Sequence, residues 1–250
     1  MTLDCHALAD HLDTLLDAPS FDDYAPNGLQ IEGDRPIEHV VVGVSANAAL
    51  IERAIDAGAD AILVHHGFFW RNDPRTITGL RYRRIAPLIR AGIALYGYHL
   101  PLDAHGTLGN NAGVLDAMGA VPVEAFGRPP IGWVGELPEP ADRGAVIARL
   151  TEATGQAPMT FLHGPTTVRR IGVVTGGGAG FFEQALQVGA DLFVTGEPSE
   201  QSQGLAAELG GNFVAAGHHA TERFGPKRLG QHLHETFGVR VTFIDVANPV

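Results

Sequence analysis

Two short stretches of the chain place a histidine four residues before an acidic residue, directly after an apolar run. His99 precedes Asp103 in this way, and His218 precedes Glu222. Each apolar run has the length and composition of a β-strand, so the histidine leaves the strand at its end. If a helix begins there, positions four apart share one face, and the imidazole and the carboxylate point to one spot. Such a pair suits a divalent metal ion such as zinc, iron, manganese or cobalt.

The two stretches belong to a longer internal repeat. Residues 54–67 align without gaps on residues 185–198, and a further apolar run precedes each segment, at 39–46 and at 170–176. Each half therefore has the order strand, helix, strand, helix, strand and then the histidine–acid pair. This alternation favours α/β units with mostly parallel sheets. In such sheets binding sites collect beyond the carboxyl ends of the strands.

The repeat predicts how the chain is divided. We expect an α/β protein of two related units, with mostly parallel sheets flanked by helices and a metal site between the units. Residues 1–126 are predicted to form the first unit, with 223–250 packing back on it, and residues 127–222 the second. The Pro- and Gly-rich stretch 127–140 is predicted to be the crossing between them. A chain of 250 residues is long enough to bury both cores.

The composition argues against several classes of protein. Lys and Arg number 17 against 28 Asp and Glu, and a net charge of −11 opposes strong non-specific binding to nucleic acid. No apolar run approaches the length of a membrane span, and the N-terminal residues are acidic where a signal peptide is basic. The single cysteine cannot build a disulfide framework or a thiolate metal cage. We expect a cytoplasmic protein.

A pair of adjacent histidines ends a strand in the first half of the repeat. They are His65 and His66, and Gly196 and Glu197 occupy the same place in the second half. A lone pair of this kind is more often one core histidine beside an exposed one. Neighbours in a strand point to opposite sides, and at a strand's end the backbone turns, so the two imidazoles can diverge toward two neighbouring ions.

These residues together suggest a site for two divalent ions per chain, of zinc, iron, manganese or cobalt. Glu222 has the longer reach of the two acids, so it is the better candidate to bridge the ions. Open positions on the two ions would let them activate a shared water. The ligands in this arrangement are His65, His66, Asp103, His218 and the bridging Glu222.

Arginines follow the adjacent histidines closely. Any one of them is most simply a solvated surface residue. Grouped in an acidic protein, they could instead draw a small anionic substrate to the site. The Gly/Asn stretch 106–119 suggests backbone contacts to a phosphate only weakly, and a tight turn is the better interpretation of the glycines at 176–180. The arginines are Arg71, Arg75, Arg81, Arg83, Arg84 and Arg90.

Several of these motifs together resemble one known family. HHG after a strand, His-x-x-x-Asp in the next repeat element, TGE, GHHATE near the end and the early NGLQIEG are its features. The chain is similar in them to the Nif-three-like dinuclear-metal-centre proteins, also named GTP cyclohydrolase I type 2. The resemblance covers nearly the whole chain, and the length is that of compact members without an inserted domain.

The resemblance implies a twofold-related α/β pair and a toroidal homohexamer of two facing trimers. It does not place His99, which the repeat alone nominates, among the ligands. His99 would then either support the ligands or act in acid–base catalysis. His219 would serve packing or support the ligands. The implied metal ligands are His65, His66, Asp103, His218 and Glu222.

The implied activity is hydrolysis of GTP at C8 of the guanine, followed by release of formate to leave dihydroneopterin triphosphate. The sequence contains no motif that recognises a guanine base. Two alternatives remain open. One is a two-metal phosphoesterase acting on nucleotides or short nucleic acids, and the other is a metal-binding scaffold with no catalytic activity.

Overall fold

The computed structural model describes residues 3–250, which divide into two compact α/β units. The first unit comprises residues up to Leu102 together with Pro226–Ala247. The second comprises Asp103–Gly225 and Asn248–Val250. In the structure the first boundary between the units lies between Leu102 and Asp103, whereas the sequence placed it after residue 126.

Helices and strands alternate along most of the first unit. The elements are α1 (Cys5–Leu15), β1 (Gly28–Ile31), β2 (His39–Ser45), α2 (Ala48–Asp56), β3 (Ala61–His66), α3 (Gly79–Ala91), β4 (Ala94–Gly97) and α4 (Leu100–Ala104). The Asp4 carboxylate caps the first turn of α1. Asn47 caps α2 in the same way, by accepting a hydrogen bond from the backbone N–H of Leu50. Helix α3 ends at Gly92, whose φ of 63° is a left-handed conformation that glycine adopts at little cost.

The second unit follows, and the chain then returns to the first through one helix and one strand. No helix within residues 3–250 has both the length and the apolar character needed to cross a bilayer. The elements are α5 (Asn110–Ala117), β5 (Val121–Phe126), β6 (Gly132–Asp142), α6 (Arg143–Thr154), β7 (Met159–Leu162), β8 (Thr167–Val174), α7 (Phe182–Gln187), β9 (Leu192–Thr195), α8 (Ser202–Leu209), β10 (Asn212–Ala215), α9 (His218–Thr221), α10 (Phe224–Phe237) and β11 (Arg240–Phe243).

Each unit is built on one sheet within the described residues. In the first, the order is β1-β4-β3-β2-β11, and every pairing is parallel except that of β1 with β4. In the second, the order is β5-β6-β8-β9-β10-β7, and only β8, β9 and β10 are parallel to one another. The predicted α/β fold of two related units flanked by helices is therefore confirmed. The first sheet is mostly parallel, whereas the second has a parallel centre with antiparallel strands on both sides.

The strand orders show the internal repeat directly. The series β1-β4-β3-β2 in the first sheet corresponds to β7-β10-β9-β8 in the second. In both series the first strand is antiparallel to its neighbour and the other three are parallel. The three parallel strands are the same ones that the sequence repeat aligns.

Both cores form on these parallel strands. In the first unit Val41, Ile62 and Leu95 pack with helix residues in one buried cluster. In the second, Val173 and Val194 belong to the equivalent cluster. Parallel strands covered on both faces have continuous apolar sequences, which explains the strand-length apolar runs in the repeat.

The interpretation of residues 127–140 as a crossing between units was wrong. Most of this stretch lies in β6, which pairs with β5 on one side and β8 on the other. The two prolines of β6, Pro138 and Pro140, lie where the β6–β8 ladder is interrupted, between Glu136 and Ala141. Proline cannot donate to a ladder, so a strand tolerates it at such an interruption.

Candidate metal centre

Three histidines gather at one edge of the first sheet. His65 and His66 end β3, and His99 follows β4, the parallel neighbour of β3. The ring centroids lie 4.6 Å apart for His65 and His66, 5.1 Å for His65 and His99, and 5.7 Å for His66 and His99. One ligand nitrogen from each ring lies within 4.8 Å of the others. The first unit by itself therefore brings His99 to the adjacent histidines, as the repeat suggested.

The tautomer of His65 is determined by a backbone contact. Its Nδ1 lies 2.9 Å from the carbonyl oxygen of Tyr98, and the side chain is only 1% exposed. A carbonyl oxygen can only accept, so Nδ1 carries the proton and Nε2 carries the lone pair. Metal-binding histidines are commonly held through their second nitrogen in this way. His66 has a comparable contact, 3.1 Å from its Nδ1 to the hydroxyl of Ser45 at the end of β2.

His99 is held by a buried aspartate that the sequence analysis did not identify. Its Nδ1 donates to Oδ1 of Asp23 at 2.7 Å, and the Asp23 side chain is only 2% exposed. The same carboxylate accepts from Asn27 Nδ2 at 3.0 Å and from the backbone N–H of Leu100 at 2.9 Å. Burial alone would raise the pKa of Asp23, but the hydrogen bond and charge of His99, with the other two donors, lower it to about 2.

Replacing Asp23 with asparagine should therefore destabilise the protein in a pH-dependent way. A pKa lowered from 3.8 to about 2 corresponds to roughly 2 kcal/mol of stability. This contribution is fully present above the ordinary carboxyl pKa and is lost as the pH falls toward 2. The urea midpoint of D23N should thus lie below that of the wild type at pH 7, with a smaller difference at pH 3.

Asp22→Asn is the matched control for that measurement. The Asp22 side chain is 92% exposed and pairs with Arg71 at the surface. Exposed ion pairs contribute little, so D22N should unfold close to the wild-type midpoint. Equal midpoints for D23N and the wild type at pH 7 would contradict the stabilising role of Asp23.

Three strand ends also converge in the second unit. The backbone N–H groups of Gly196 and Glu197, after β9, donate to the carbonyl of Gly176, after β8, at 2.9 and 3.0 Å. The N–H of Gly217, after β10, donates to the carbonyl of Gly196 at 2.9 Å. Gly176 has a φ of +62°, and a Cβ there would overlap Glu222 Oε1 and lie 3.0 Å from Nε2 of the histidine that begins α9. Gly176 therefore provides the space that the Glu222 and His218 side chains occupy.

His218 stands between two carboxylates. Its Nδ1 is hydrogen-bonded to Glu197, and its Nε2 lies 3.0 Å from Oε1 of Glu222, one helical turn later. Burial alone would lower the pKa of His218, but the hydrogen bonds and charges of Glu222 and Glu197 raise it to about 9. Glu222 is only 2% exposed. This pocket therefore favours a positive charge next to Glu222.

Asp103 is buried and oriented by two donors. Its Oδ1 accepts from Asn110 Nδ2 at 2.9 Å and from the Thr175 hydroxyl at 3.0 Å. Asn110 and its neighbour Asn111 are themselves fully buried, and Asn111 Oδ1 accepts from the backbone N–H of Thr175 at 2.8 Å. The suggestion that backbone N–H groups of this Gly/Asn stretch hold a phosphate stays a prediction. The two asparagine side chains have a structural role. They join α5 to β8 and orient the Asp103 carboxylate.

Glu197 and His219 also lie close to His218 in the second unit, and the sequence indicated a role for each of them only indirectly. Glu197 stood out only as the counterpart of the adjacent histidines, yet it contacts His218 directly. Its TGE motif at a strand end was the available signal. His219 is buried, and its backbone N–H donates to the carbonyl of Val250 at 2.8 Å.

The arginines after His66 are not equivalent. Arg71 pairs with Asp22, Arg81 pairs with Asp73 at 2.8 Å, and Arg90 donates to the hydroxyl of Tyr82. For Arg84, no hydrogen-bond or ion-pair partner occurs among residues 3–250, and its Nε is buried. The cluster predicted to attract an anion is therefore partly neutralised by neighbouring acids.

The donor atoms of both units are suited to a divalent ion. The first unit offers imidazole nitrogens, and the second offers one imidazole with the carboxylates of Asp103 and Glu222, close to the ends of strands. Mixed nitrogen and oxygen donors of this kind fit zinc, iron, manganese or cobalt. Hydrogen bonds at His65 Nδ1 and at Asp103 Oδ1 hold these two side chains in place, and the absence of a Cβ at Gly176 leaves room for Glu222. The protein itself therefore positions these proposed ligands.

Comparison with known proteins gives a consistent result. A protein named GTP cyclohydrolase 1 type 2 homolog from Yersinia pestis is 46% identical over 243 residues, which cover 95% of this chain and 96% of the relative. A protein of the same name from Allochromatium vinosum is 44% identical, with 98% of this chain and 97% of the relative covered.

Solved structures agree with these relatives. The structure of protein ybgI, described as of unknown function, superposes with a TM-score of 0.94 at 40% identity, covering 99% of this chain and 100% of that one. A protein from Thermus thermophilus gives a TM-score of 0.91 at 36% identity, with the same coverage. The model of the Duf34/NIF3 (NGG1p interacting factor 3) family matches residues 3–249. The chain therefore belongs to the Duf34/NIF3 family.

Proposed function

We propose that this protein is a hydrolase that depends on two divalent metal ions. The observation that supports this most is that the imidazoles of the first unit, and one imidazole with two carboxylates of the second, lie at or near the carboxyl ends of parallel strands. Five donors exceed what one tetrahedral site needs. The proposed ligands are His65, His66, Asp103, His218 and Glu222.

The roles of the ligands follow from their surroundings. His65 presents Nε2, because its Nδ1 donates to the Tyr98 carbonyl. Asp103 is oriented through Oδ1 by Asn110 and Thr175. Glu222 is proposed as the bridge, because it has the longer reach of the two carboxylates. Two ions held by these residues would supply a water of lowered pKa as the nucleophile and would polarise the bond under attack.

His99 is proposed to transfer protons rather than to bind metal. Its Nδ1 is committed to the Asp23 carboxylate, so Nε2 is the atom that exchanges a proton with the substrate. A buried carboxylate behind a histidine fixes the ring's orientation and stabilises its protonated form. The Trp70 ring meets the His99 ring edge-on at 5.1 Å, which limits the water around it.

The proposed substrate is a nucleotide, and the first candidate reaction is opening of the guanine ring of GTP with release of formate. The support is the name of the relatives, GTP cyclohydrolase 1 type 2 homolog, at 44% and 46% identity. The second candidate is hydrolysis of a phosphate ester, which the arginines after His66 would serve equally well. A non-catalytic metal-binding scaffold is the third.

One experiment separates these candidates. Protein loaded with zinc, manganese, iron or cobalt is incubated with GTP and with a panel of other nucleotides, and formate, phosphate and pterin fluorescence are measured in parallel. Formate release from GTP would support ring opening. Metal-dependent phosphate release without formate would favour the phosphoesterase, and no product from any nucleotide with both ions bound would favour the scaffold.

We further propose a homohexamer located in the cytoplasm. The hexamer rests on the family resemblance. Light scattering that gives a monomer or a dimer, both with and without metal, would contradict it.

A further inference from the structure

A cavity of about 310 Å³ lies in the first unit directly after the proposed ligand His66. It is lined by the loop that follows β3 and by the start of α3. Three residues of its wall, Gly67, Phe68 and Trp70, come soon after His66 in the chain, and the Trp70 ring is 5.8 Å from the His66 ring. Arg81 and Arg84 of α3 also line the cavity. The cavity therefore adjoins the histidine cluster of this unit.

The charge of the cavity wall is positive. Asp73 and Arg81 form an ion pair at 2.8 Å, so their charges cancel. Asp73 also accepts from the backbone N–H of Trp70 at 3.1 Å, which holds the loop in place. Arg84 remains as the uncompensated charge of this wall. Its Nε is buried, and no partner for it occurs among residues 3–250.

A guanidinium that lines a cavity without an ion-pair partner favours an anion there, because its charge-assisted contact to a phosphate is strong. The start of α3 acts in the same direction. The helix has 13 residues and no acidic residue in its first turn, and the Thr78 side chain makes no capping hydrogen bond. Its N-terminal end therefore retains its partial positive charge where Thr78 and Leu80 line the cavity.

The backbone of the loop is strained at Phe69, between the lining residues Phe68 and Trp70. Phe69 adopts a φ of +66°, which few residues other than glycine tolerate. The Arg81 guanidinium lies 5.9 Å from the centre of the Phe69 ring. Strain of this kind persists when the surroundings over-determine it, and it clusters at ligand-binding sites.

We propose that this cavity binds the phosphate group of the substrate, with Arg84 as its principal contact. The proposal rests on the proposed function, and it names which of the arginines does the binding. The volume lies at the lower end of the range for small-molecule sites, about 300–1,000 Å³, so the cavity takes one end of a nucleotide. The rest of the nucleotide then extends past Trp70 toward His66 and His99.

Direct binding tests this without any turnover. Guanosine 5′-monophosphate and guanosine are titrated calorimetrically into zinc-loaded wild type, Arg84→Gln and Arg83→Gln. Arg83 is the matched control, because it is adjacent on α3 but exposed and does not line the cavity. R84Q should bind the monophosphate about 10–100-fold more weakly than the wild type, because it loses one charge-assisted contact. The affinity of R83Q for the monophosphate should differ from that of the wild type by less than about twofold. Inorganic phosphate should compete with the monophosphate in the wild type.

Several results would overturn the proposal: equal affinity of R84Q and wild type for the monophosphate, no measurable binding by the wild type, or no competition by inorganic phosphate. Zinc content and thermal unfolding are measured for each variant, and both should stay at wild-type values for R84Q. If R84Q does not fold, Arg84→Lys replaces it. R84K keeps the charge but loses the planar fork, so it should still bind more weakly than R83Q. Absence of turnover with intact Arg84-dependent binding would contradict the proposed function and leave this inference standing.

Discussion

Replacing Glu222 with alanine is expected to remove the bound metal and to abolish metal-dependent turnover. Glu222 is proposed to bridge the ions, so its loss affects both, and the metal content after dialysis should fall from about two ions per chain to fewer than about one. The fold should survive, because each unit has its own apolar core. Turnover should fall by about 10³-fold or more, as for other residues that act as a catalytic unit.

Two further variants test whether the loss of metal in E222A arises because Glu222 bridges the two ions. Asp103→Ala should also lose metal but less completely, since Asp103 is proposed to serve one ion. Glu197→Gln alters the other contact of His218, and a supporting contact of this kind typically changes metal affinity by about 10–100-fold. Elemental analysis and metal titration measure all three. If E222A keeps both ions at wild-type affinity, Glu222 is not the bridge.

Replacing Gly176 with alanine should have the second largest effect. The φ of +62° costs an alanine about 1–2 kcal/mol, and the added Cβ would overlap Glu222 Oε1. The Glu222 carboxylate must therefore move away from His218. We expect a lower thermal midpoint and a loss of metal affinity together, from a substitution that removes no ligand.

The adjacent glycine is a close control for that variant. Gly177 has a φ of −79°, and a Cβ there meets nothing within 4 Å. Gly177→Ala should therefore match the wild type in both metal content and thermal midpoint. Indistinguishable behaviour of G176A and G177A would show that the close approach of Gly176 to Glu222 has no role in the site.

The sequence was most informative where it repeats. The aligned segments predicted the parallel strands of both sheets, because runs buried on both faces are continuously apolar and easy to recognise. The same periodicity placed His65, His66 and His99 at strand ends. Because the carboxyl ends of neighbouring parallel strands share one edge of a sheet, the pattern also predicted that these three side chains lie together.

Contacts across the chain were not accessible in this way. Asp23 reaches His99 from a loop 76 residues earlier, and Asn110 and Asn111 orient Asp103 and Thr175 only because α5 packs beside β8. Neither contact has a local sequence signature. The prolines of β6 suggested a linker, since proline is rare in strands, yet the interrupted ladder there accommodates them. Within the described part of the chain, Arg84 lacks a partner because of how the chain packs around it. The sequence pattern does not distinguish it from the other five arginines that follow His66.

The hydrogen bond from His65 to the Tyr98 carbonyl has a consequence for the entropy of metal uptake. Freezing a side chain that was free to rotate costs roughly 0.5–1.5 kcal/mol, and His65 has already incurred this cost during folding, because its ring is buried and held. The position of the His65 ring is thus set by the protein itself. Exchange of an ion at the proposed site would then require no refolding around His65, unlike in zinc fingers, whose folding depends on the ion. An ion at the proposed site would then follow the supply in its surroundings, and His65 would keep its place when the ion is removed and replaced.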